Sequence, residues 1–244
     1  TKKSKVNDIV LAVLGKSIKI SNVLEVKSIE FGSRNPELAK VYDFEPEGWS
    51  IHNGHEWVDL GLISGLKWAT CYVGASSPEE SGDYFAWGET EPKETYNWST
   101  YKWWNGSAST LTKYNISSSY GTVDNKTTLE MSDDAARANW GGEWRMPTDE
   151  EMTELREQCT WTWTAQYGVK GYKVTSKNNG NSIFLPAAGY RNDSGLDGAG
   201  SYGDYWSSRP SSDDAYYLGF GSSSVGMGIY GNRAGGRSVR CVQE

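Results

Sequence analysis

His52 and His55 are the only histidines in the chain. They flank an Asn53-Gly54 turn, so they share no helical face, and their spacing lacks the geometry of paired metal ligands on a helix. A Ser-His-Asp triad would have to recruit one of them, and no G-x-S-x-G elbow is present. The adjacent carboxylates Asp133-Asp134 and Glu150-Glu151 fall in the expected first turns of two helices, where capping and the helix dipole account for them without paired acid-base catalysis. Cys71, Cys159 and Cys241 are widely spaced and form no C-x-x-C, which excludes zinc and thioredoxin-like readings. Three buried thiols, or one disulfide with one free thiol, both remain open. Gly226-Met227-Gly228-Ile229-Tyr230-Gly231 matches G-x-G-x-x-G. A dinucleotide site needs that turn to open a helix, whereas here strand alternation continues into Arg233 and Ser238. No catalytic residue, metal ligand or cofactor is therefore assigned. Trp161, Trp163, Tyr205 and Trp206 could stack on sugars, or could fill the core of a loop-rich domain.

The 244 residues suffice for one large domain, or a medium one with an appendage. Twelve Trp, fifteen Tyr and 28 Gly predict an aromatic-rich, turn-rich fold. A net charge of −7 gives nucleic-acid binding no electrostatic support. No apolar run reaches the roughly 18 residues of a membrane span. The chain opens at Thr1 without a signal peptide, which reads as a mature or trimmed fragment.

The elements follow from the pattern. Residues 1 to 49 hold most of the consecutive aliphatics and read as a small β-rich segment, with Lys16 to Ile20 and Leu24 to Phe31 alternating. Turns at Gly15-Lys16 and Ser21-Asn22, then Asn35-Pro36 and Glu45 to Gly48, lead to the main domain over 50 to 244. Trp57 to Leu60, Leu66 to Cys71 and Gly82 to Glu89 read as strands, and Thr95 to Val123 as a long ordered loop whose Trp98, Trp103 and Trp104 must pack somewhere. One helix is expected from an N-cap at Ser132, ending at Gly141-Gly142. A second is expected from Thr148 with a capping box to Glu151, and Met152, Leu155 and Cys159 share one face. Strands over Thr160 to Thr164, Gly171 to Ser176 and Ser182 to Pro186 follow, then a Gly-rich loop from Asn192 to Gly203.

The stretch from Trp206 to Arg240 carries two registers. Leu218, Phe220, Val225 and Met227 are apolar at the period of a half-buried strand. The intervening set mixes Gly, Ser, Tyr, Asn, Ala and Arg, and this many glycines weakens a strand without an evident folding reason.

Seven strings recur together in one family. They are Trp57 to Leu62, Gly65 to Thr70, Gly82 to Glu89, Trp140 to Thr148, Leu185 to Gly189, Tyr205 to Ser208 and Gly236 to Arg240. Over residues 50 to 244 the chain resembles the major-paralogous-domain proteins of gut bacteria, whose domain is similar to the C-type lectin fold. The resemblance implies an α+β domain, two helices on twisted antiparallel sheets, with a ligand face built from the final strands. Many members look like variable proteins of diversity-generating retroelements, in which adenines of Asn codons near the 3′ end are randomised. Such replacement never yields Lys, Glu, Gln, Trp or Met. From Ser207 to Val242 the first four are absent, and Met227 falls in the apolar register.

The ligand face so implied comprises Asp204, Arg209, Ser211, Ser212, Asp213, Asp214, Tyr217, Gly219, Gly221, Ser224, Gly226, Gly228, Ile229, Tyr230, Gly231, Asn232, Ala234, Gly235 and Arg237. Tyr217, Tyr230 and Arg237 are its expected anchors, since Tyr and Arg dominate binding hot spots. The implied protein is non-enzymatic and displayed at the cell surface or outer membrane, secreted and lipid-anchored in one form of the expectation. Its partner is a protein or glycan on another cell or phage, not nucleic acid. A structural or tip subunit of a fimbria, with fimbrial or outer-membrane partners, is the alternative. An oxidase similar to formylglycine-generating enzymes is a third, against which stands the lack of a closely spaced cysteine pair. The Glu-Pro-Asn and Trp-Asn-Asp calcium motifs of animal C-type lectins are missing, and Glu91-Pro92-Lys93 is only a partial likeness. A Cys159–Cys241 bridge would mimic one found in C-type lectins.

Overall fold

The computed structural model describes residues 8–13, 16–21, 50–106 and 110–244. The chain divides into two compact units, 1–57 and 58–244. In the first unit, β1 (Asp8–Val13) and β2 (Lys16–Ser21) form an antiparallel hairpin from Asp8↔Ser21 to Val13↔Lys16. The expected strand over Leu24 to Phe31 and the linker turns at 35–36 and 45–48 lie outside the described residues. β3 (Ser50–His52) and the start of β4 (His55–Asp59) close on the Asn53-Gly54 turn, with His52 opposite His55. Both turn residues have positive φ, as a two-residue hairpin loop requires.

The second unit is an α+β domain of mostly antiparallel strands with two helices. β5 (Lys67–Tyr72) pairs with the C-terminal strand β14 (Arg240–Gln243). β6 (Cys159–Gln166), β7 (Val169–Ser176) and β8 (Ser182–Pro186) form a meander. β11 (Tyr202–Ser211), β12 (Asp214–Gly221) and β13 (Ser224–Asn232) form another. The Gly-rich stretch after Asn192 is not a plain loop. It holds a small hairpin of β9 (Tyr190–Asn192) and β10 (Gly195–Asp197), turned by Asp193 at positive φ.

The second helix, α2 (Asp149–Gln158), has the expected capping box. Thr148 Oγ1 accepts from the Glu151 amide at 3.2 Å, and the Glu151 carboxylate accepts from the Thr148 amide at 2.8 Å. Arg145 then grips Glu151 with two bonds of 2.7 and 2.8 Å. Met152 and Leu155 are buried, but Cys159 is the first residue of β6 rather than part of the helical face. The first helix, α1 (Ala135–Trp140), starts later than the sequence suggests. Residues Met131–Asp133 make a separate 3-10 turn, and Asp134 is the N-cap in place of Ser132. The reason is the number of donors that Asp134 reaches. Its carboxylate accepts from the amides of Ala136 (2.8 Å), Arg137 (3.1 Å) and Met146 (2.8 Å), joining the helix start to the segment before α2.

Among the described residues, buried side chains gather in two clusters that bear on the site. One gathers Trp68, Tyr72, Met152, Leu155, Tyr172, Val174, Ile183, Leu185, Tyr205, Leu218, Phe220 and Val242 from both meanders, α2 and the terminal strands. Trp161 and Trp163 pack their edges against Tyr172 and Phe220, so these two belong to the core margin. The other cluster gathers Tyr84, Ala86, Tyr96, Tyr101, Leu111 and Ala234, with Trp98, Trp103 and Trp104 against it. That is where the tryptophans of the long 95–123 segment pack. Gly82 to Glu89 is not a strand. Only Phe85 bridges, to Arg237, and residues 84 to 89 are all buried as an irregular segment with positive-φ glycines at 82 and 88. A Cβ at Gly82 would lie 2.3 Å from the Val73 carbonyl, so close backbone approach replaces pairing there.

Asp134→Ala should cost about 2 kcal/mol of unfolding free energy, measured by urea titration, while Ser132→Ala should stay within about 0.5 kcal/mol. Equal losses would restore Ser132 as the cap.

Candidate functional site

The expected ligand face falls on β11, β12, β13 and the chain that follows. Leu218 and Phe220 are buried in the core, and Val225 and Met227 pack against it from the neighbouring strand, as the apolar register requires. Successive strand residues point to opposite faces, so Tyr217 lies on the other side from Leu218. There it meets the edge of Trp206 at 6.1 Å between ring centroids.

Arg237 completes this side. Its guanidinium lies 4.1 Å from the Trp206 ring centroid and 4.3 Å from that of Tyr217. Tyr190 stands farther off at 5.7 Å. The Asp204 carboxylate is the counter-charge, but its Oδ2 is 3.6 Å from Arg237 Nε, too long for a hydrogen bond, and Nε has no other acceptor. Both groups are buried. Burial holds the Asp204 carboxyl up at about 6, with Arg237 acting against it, and pushes Arg237 below its ordinary value, with Asp204 acting against that. For both partners desolvation exceeds mutual attraction, the expected balance for a buried pair without good hydrogen-bond geometry. Burial also raises the Tyr217 hydroxyl.

The strands do not keep one register to the end. The pairing shifts between Tyr217 and Gly219, and Gly228 on β13 absorbs the irregularity at φ +83°. Beyond it Tyr230 pairs with Tyr216, at 6.1 Å between rings, rather than standing beside Tyr217. The three expected anchors are thus split. Tyr217 and Arg237 share one side, while Tyr230 joins Tyr216 on the other. Tyr216, which sequence reasoning passed over, also carries the Arg209 guanidinium 4.9 Å from its ring centroid. Period-two counting put Tyr216 in the core register of Leu218 and Phe220, and the bulge in β13 carries Tyr230 to that same side opposite it.

Several glycines that lacked a folding reason have one. Gly228 supplies the left-handed residue of the bulge. At Gly231 a Cβ would lie 2.5 Å from Arg237 Nη2, so the glycine leaves room for the stacked guanidinium. Ala234 is fully buried in the aromatic cluster, and Gly219 and Gly235 are also buried. Arg209, Ser224, Gly228, Tyr230 and Asn232 are exposed, and Ser211, Ser212, Asp213, Asp214, Tyr217, Gly221, Gly226 and Gly231 are partly so. The side chain of Ile229 lies outside the described residues.

At the far end of the sheet, Tyr114, Ile116, Lys126, Thr127, Arg209, Pro210, Ser211, Ser212 and Tyr216 line a cleft of about 190 Å³. A buried arginine that the motif reading did not single out holds its walls. Arg233 donates through Nε to the Asp214 carbonyl at 2.7 Å and through Nη2 to the carbonyls of Tyr114 (2.9 Å) and Ser212. Its guanidinium lies 4.9 Å from the Trp87 ring centroid. A second hollow, of about 330 Å³, is lined by Asn105, Thr110, Thr112, Ser118, Gly121 and Thr122.

Cys71, Cys159 and Cys241 are free thiols, so the expected Cys159–Cys241 bridge is not formed. Burial pushes the Cys159 thiol up to about 11 and raises Cys241 further from its thiolate. Among the described residues no group of three or more His, Cys, Asp or Glu is placed to hold a metal ion, and no helix is long and apolar enough to cross a membrane. In comparisons with protein-family models, curated proteins and solved structures, nothing matches the chain.

Because the folded-state pKa of Asp204 is raised, the native state binds the proton more tightly than the unfolded chain between pH 3.8 and about 6. Its contribution to stability is therefore fullest below that window and falls as pH rises through it, by about 3 kcal/mol at most. Melting curves of the native chain and Asp204→Asn from pH 4 to 7 should diverge accordingly, the native chain gaining on the variant as pH falls. A constant offset across that range would contradict the buried-carboxyl account.

Proposed function

We propose that this chain is a non-enzymatic ligand-binding protein displayed on a bacterial surface. In this reading the second unit is a C-type-lectin-like domain and the β11–β12–β13 sheet presents its ligand face. The observation that carries it is the division of labour within two adjoining strands. Leu218, Phe220, Val225 and Met227 anchor the sheet in the core, while their alternating neighbours Gly221, Ser224 and Gly226 are partly or fully exposed and only Tyr217 among them is held, against Trp206 and Arg237. Side chains can change on that side without the fold being rewritten, which is what a retroelement-diversified face needs. A shallow surface of short side chains suits a protein or glycan surface better than a small molecule held in a deep pocket.

The diversified set is narrower than the pattern alone suggests. Ala234, Gly235 and Gly219 are buried, and Gly228 and Gly231 have backbone and packing duties. Asp204 and Arg237 support the face from beneath rather than forming its surface. The fimbrial alternative gains no specific observation. An unpaired N-terminal strand would favour it; β1 and β2 pair with each other in a two-stranded sheet, and Leu24 to Phe31 lies outside the described residues.

The downstream flank of the gene should contain a near-copy of the segment encoding Trp206 to Arg240, beside a reverse transcriptase gene. The copies should differ at adenines in codons such as those for Ser224, Gly226, Tyr230 and Asn232, and agree at those for Leu218, Phe220, Arg233 and Ala234. A flank without such a repeat would remove diversification and leave an ordinary loop-and-sheet surface.

A further inference from the structure

The cleft between the 114–127 segment and the ends of β11 and β12 has a lining chemistry of its own. Resting on the reading of the chain as a binding protein, we propose that this cleft is a metal-independent site for one neutral sugar ring. The cavity of about 190 Å³ is smaller than the ~300–1,000 Å³ pockets that take drug-sized ligands. That size suits a single ring rather than an oligosaccharide or a folded peptide.

The walls are amphipathic in the way such a ring is. Ile116, Pro210 and Tyr216 offer apolar surface for the C–H faces of a sugar. Thr127, Ser211 and Ser212 bring hydroxyls that both donate and accept, as sugar hydroxyls do. Among the described residues no protein hydrogen bond engages the side-chain oxygens of these three.

The cations of the cleft argue for a neutral ligand. Arg209 is already paired with Asp149 at 2.7 Å and Glu150 at 3.4 Å, and Lys126 is paired with Glu130. An acidic ligand would have to displace these carboxylates. A neutral one can take the N–H donors left over, since a guanidinium has five and an ammonium three.

The site is also held in shape before any ligand arrives. Arg233, fully buried, ties the Tyr114 carbonyl on one wall to the Ser212 and Asp214 carbonyls on the other. Ser212 sits at φ +53°, a conformation uncommon outside glycine, and the guanidinium engages its carbonyl. Preformed walls reduce the ordering cost that otherwise weakens small-ligand binding.

The test is a titration of the ¹⁵N-labelled chain with glucose, galactose, mannose and N-acetylglucosamine, and with glucuronate as the acidic comparison. At least one neutral sugar should shift the amides of Ile116, Thr127, Ser211, Ser212 and Tyr216 saturably, with a millimolar Kd that added chelator leaves unchanged. Tyr216→Ala should weaken it about tenfold. Thr127→Ala, on a different segment, should also weaken it if Tyr216→Ala fails to fold, and Tyr167→Ala, at a distant hairpin tip, should not. No saturable shift below about 100 mM, shifts elsewhere on the surface, or binding of glucuronate alone would overturn the proposal. None of these results depends on the gene flank, so the cleft and the diversified face can fail separately.

Discussion

Between residues 233 and 240 the chain buries three guanidinium groups, and the second unit is assembled around them. Arg233 joins carbonyls at 114, 212 and 214 while lying over Trp87. Arg237 lies between Trp206 and Tyr217. Arg240 donates to the carbonyls of Ala69 (2.9 Å) and Phe184 (2.8 Å) and lies 3.7 Å from the Tyr72 ring centroid. Burying a charge costs several kcal/mol unless its donors are met. Here main-chain carbonyls and aromatic faces meet most of them, and among the described residues Arg237 is the one of the three with a carboxylate within 4 Å. Each arginine thus connects segments distant in sequence, and their spacing places one beside each of three parts of the domain: the loop clusters, the sheet and the terminal strands.

That arrangement explains why a glycine-rich, loop-rich chain can hold a defined sheet. The strands β12 and β13 are weak by composition, but Leu218, Phe220, Val225 and Met227 fasten one side to the core and Arg237 with Trp206 supports the other. The bulge at Gly228 then divides the outer end. One side carries Tyr217 above the buried Asp204–Arg237 pair, and the other carries Tyr216, Tyr230 and Arg209 beside the Arg233-braced cleft. Two surfaces of different chemistry come from one three-stranded meander.

Much of this was legible in the letters. The Thr148–Glu151 capping box, the strands over Gly171 to Ser176 and Ser182 to Pro186 and the core register of Leu218 to Met227 are local patterns, and local patterns carry their own physics. What could not be read is set by distant partners. Asp134 displaces Ser132 as the cap because the Met146 amide, twelve residues on, adds a third donor. Gly82 to Glu89 reads as a strand because it is aromatic and apolar, yet residues 84 to 89 are buried, with Phe85 exchanging a pair of main-chain bonds with Arg237 and the Trp87 amide donating to the Arg233 carbonyl. Tyr230 was assigned the wrong neighbours because a one-residue bulge reverses strand parity. Gly231 and Ala234 looked replaceable because the side chains that crowd them come from elsewhere in the chain.

The central claim is that the C-terminal segment holds two kinds of position, those that fix the fold and those free to vary. A saturation scan of residues 204 to 240 on displayed protein, scored for folding by protease resistance, tests it most directly. Gly221, Ser224, Gly226, Tyr230 and Asn232 should accept most substitutions. Trp206, Leu218, Phe220, Gly228, Arg233, Ala234, Arg237 and Arg240 should accept few. Uniform intolerance along β12 and β13, or free replacement of the three arginines, would contradict the account.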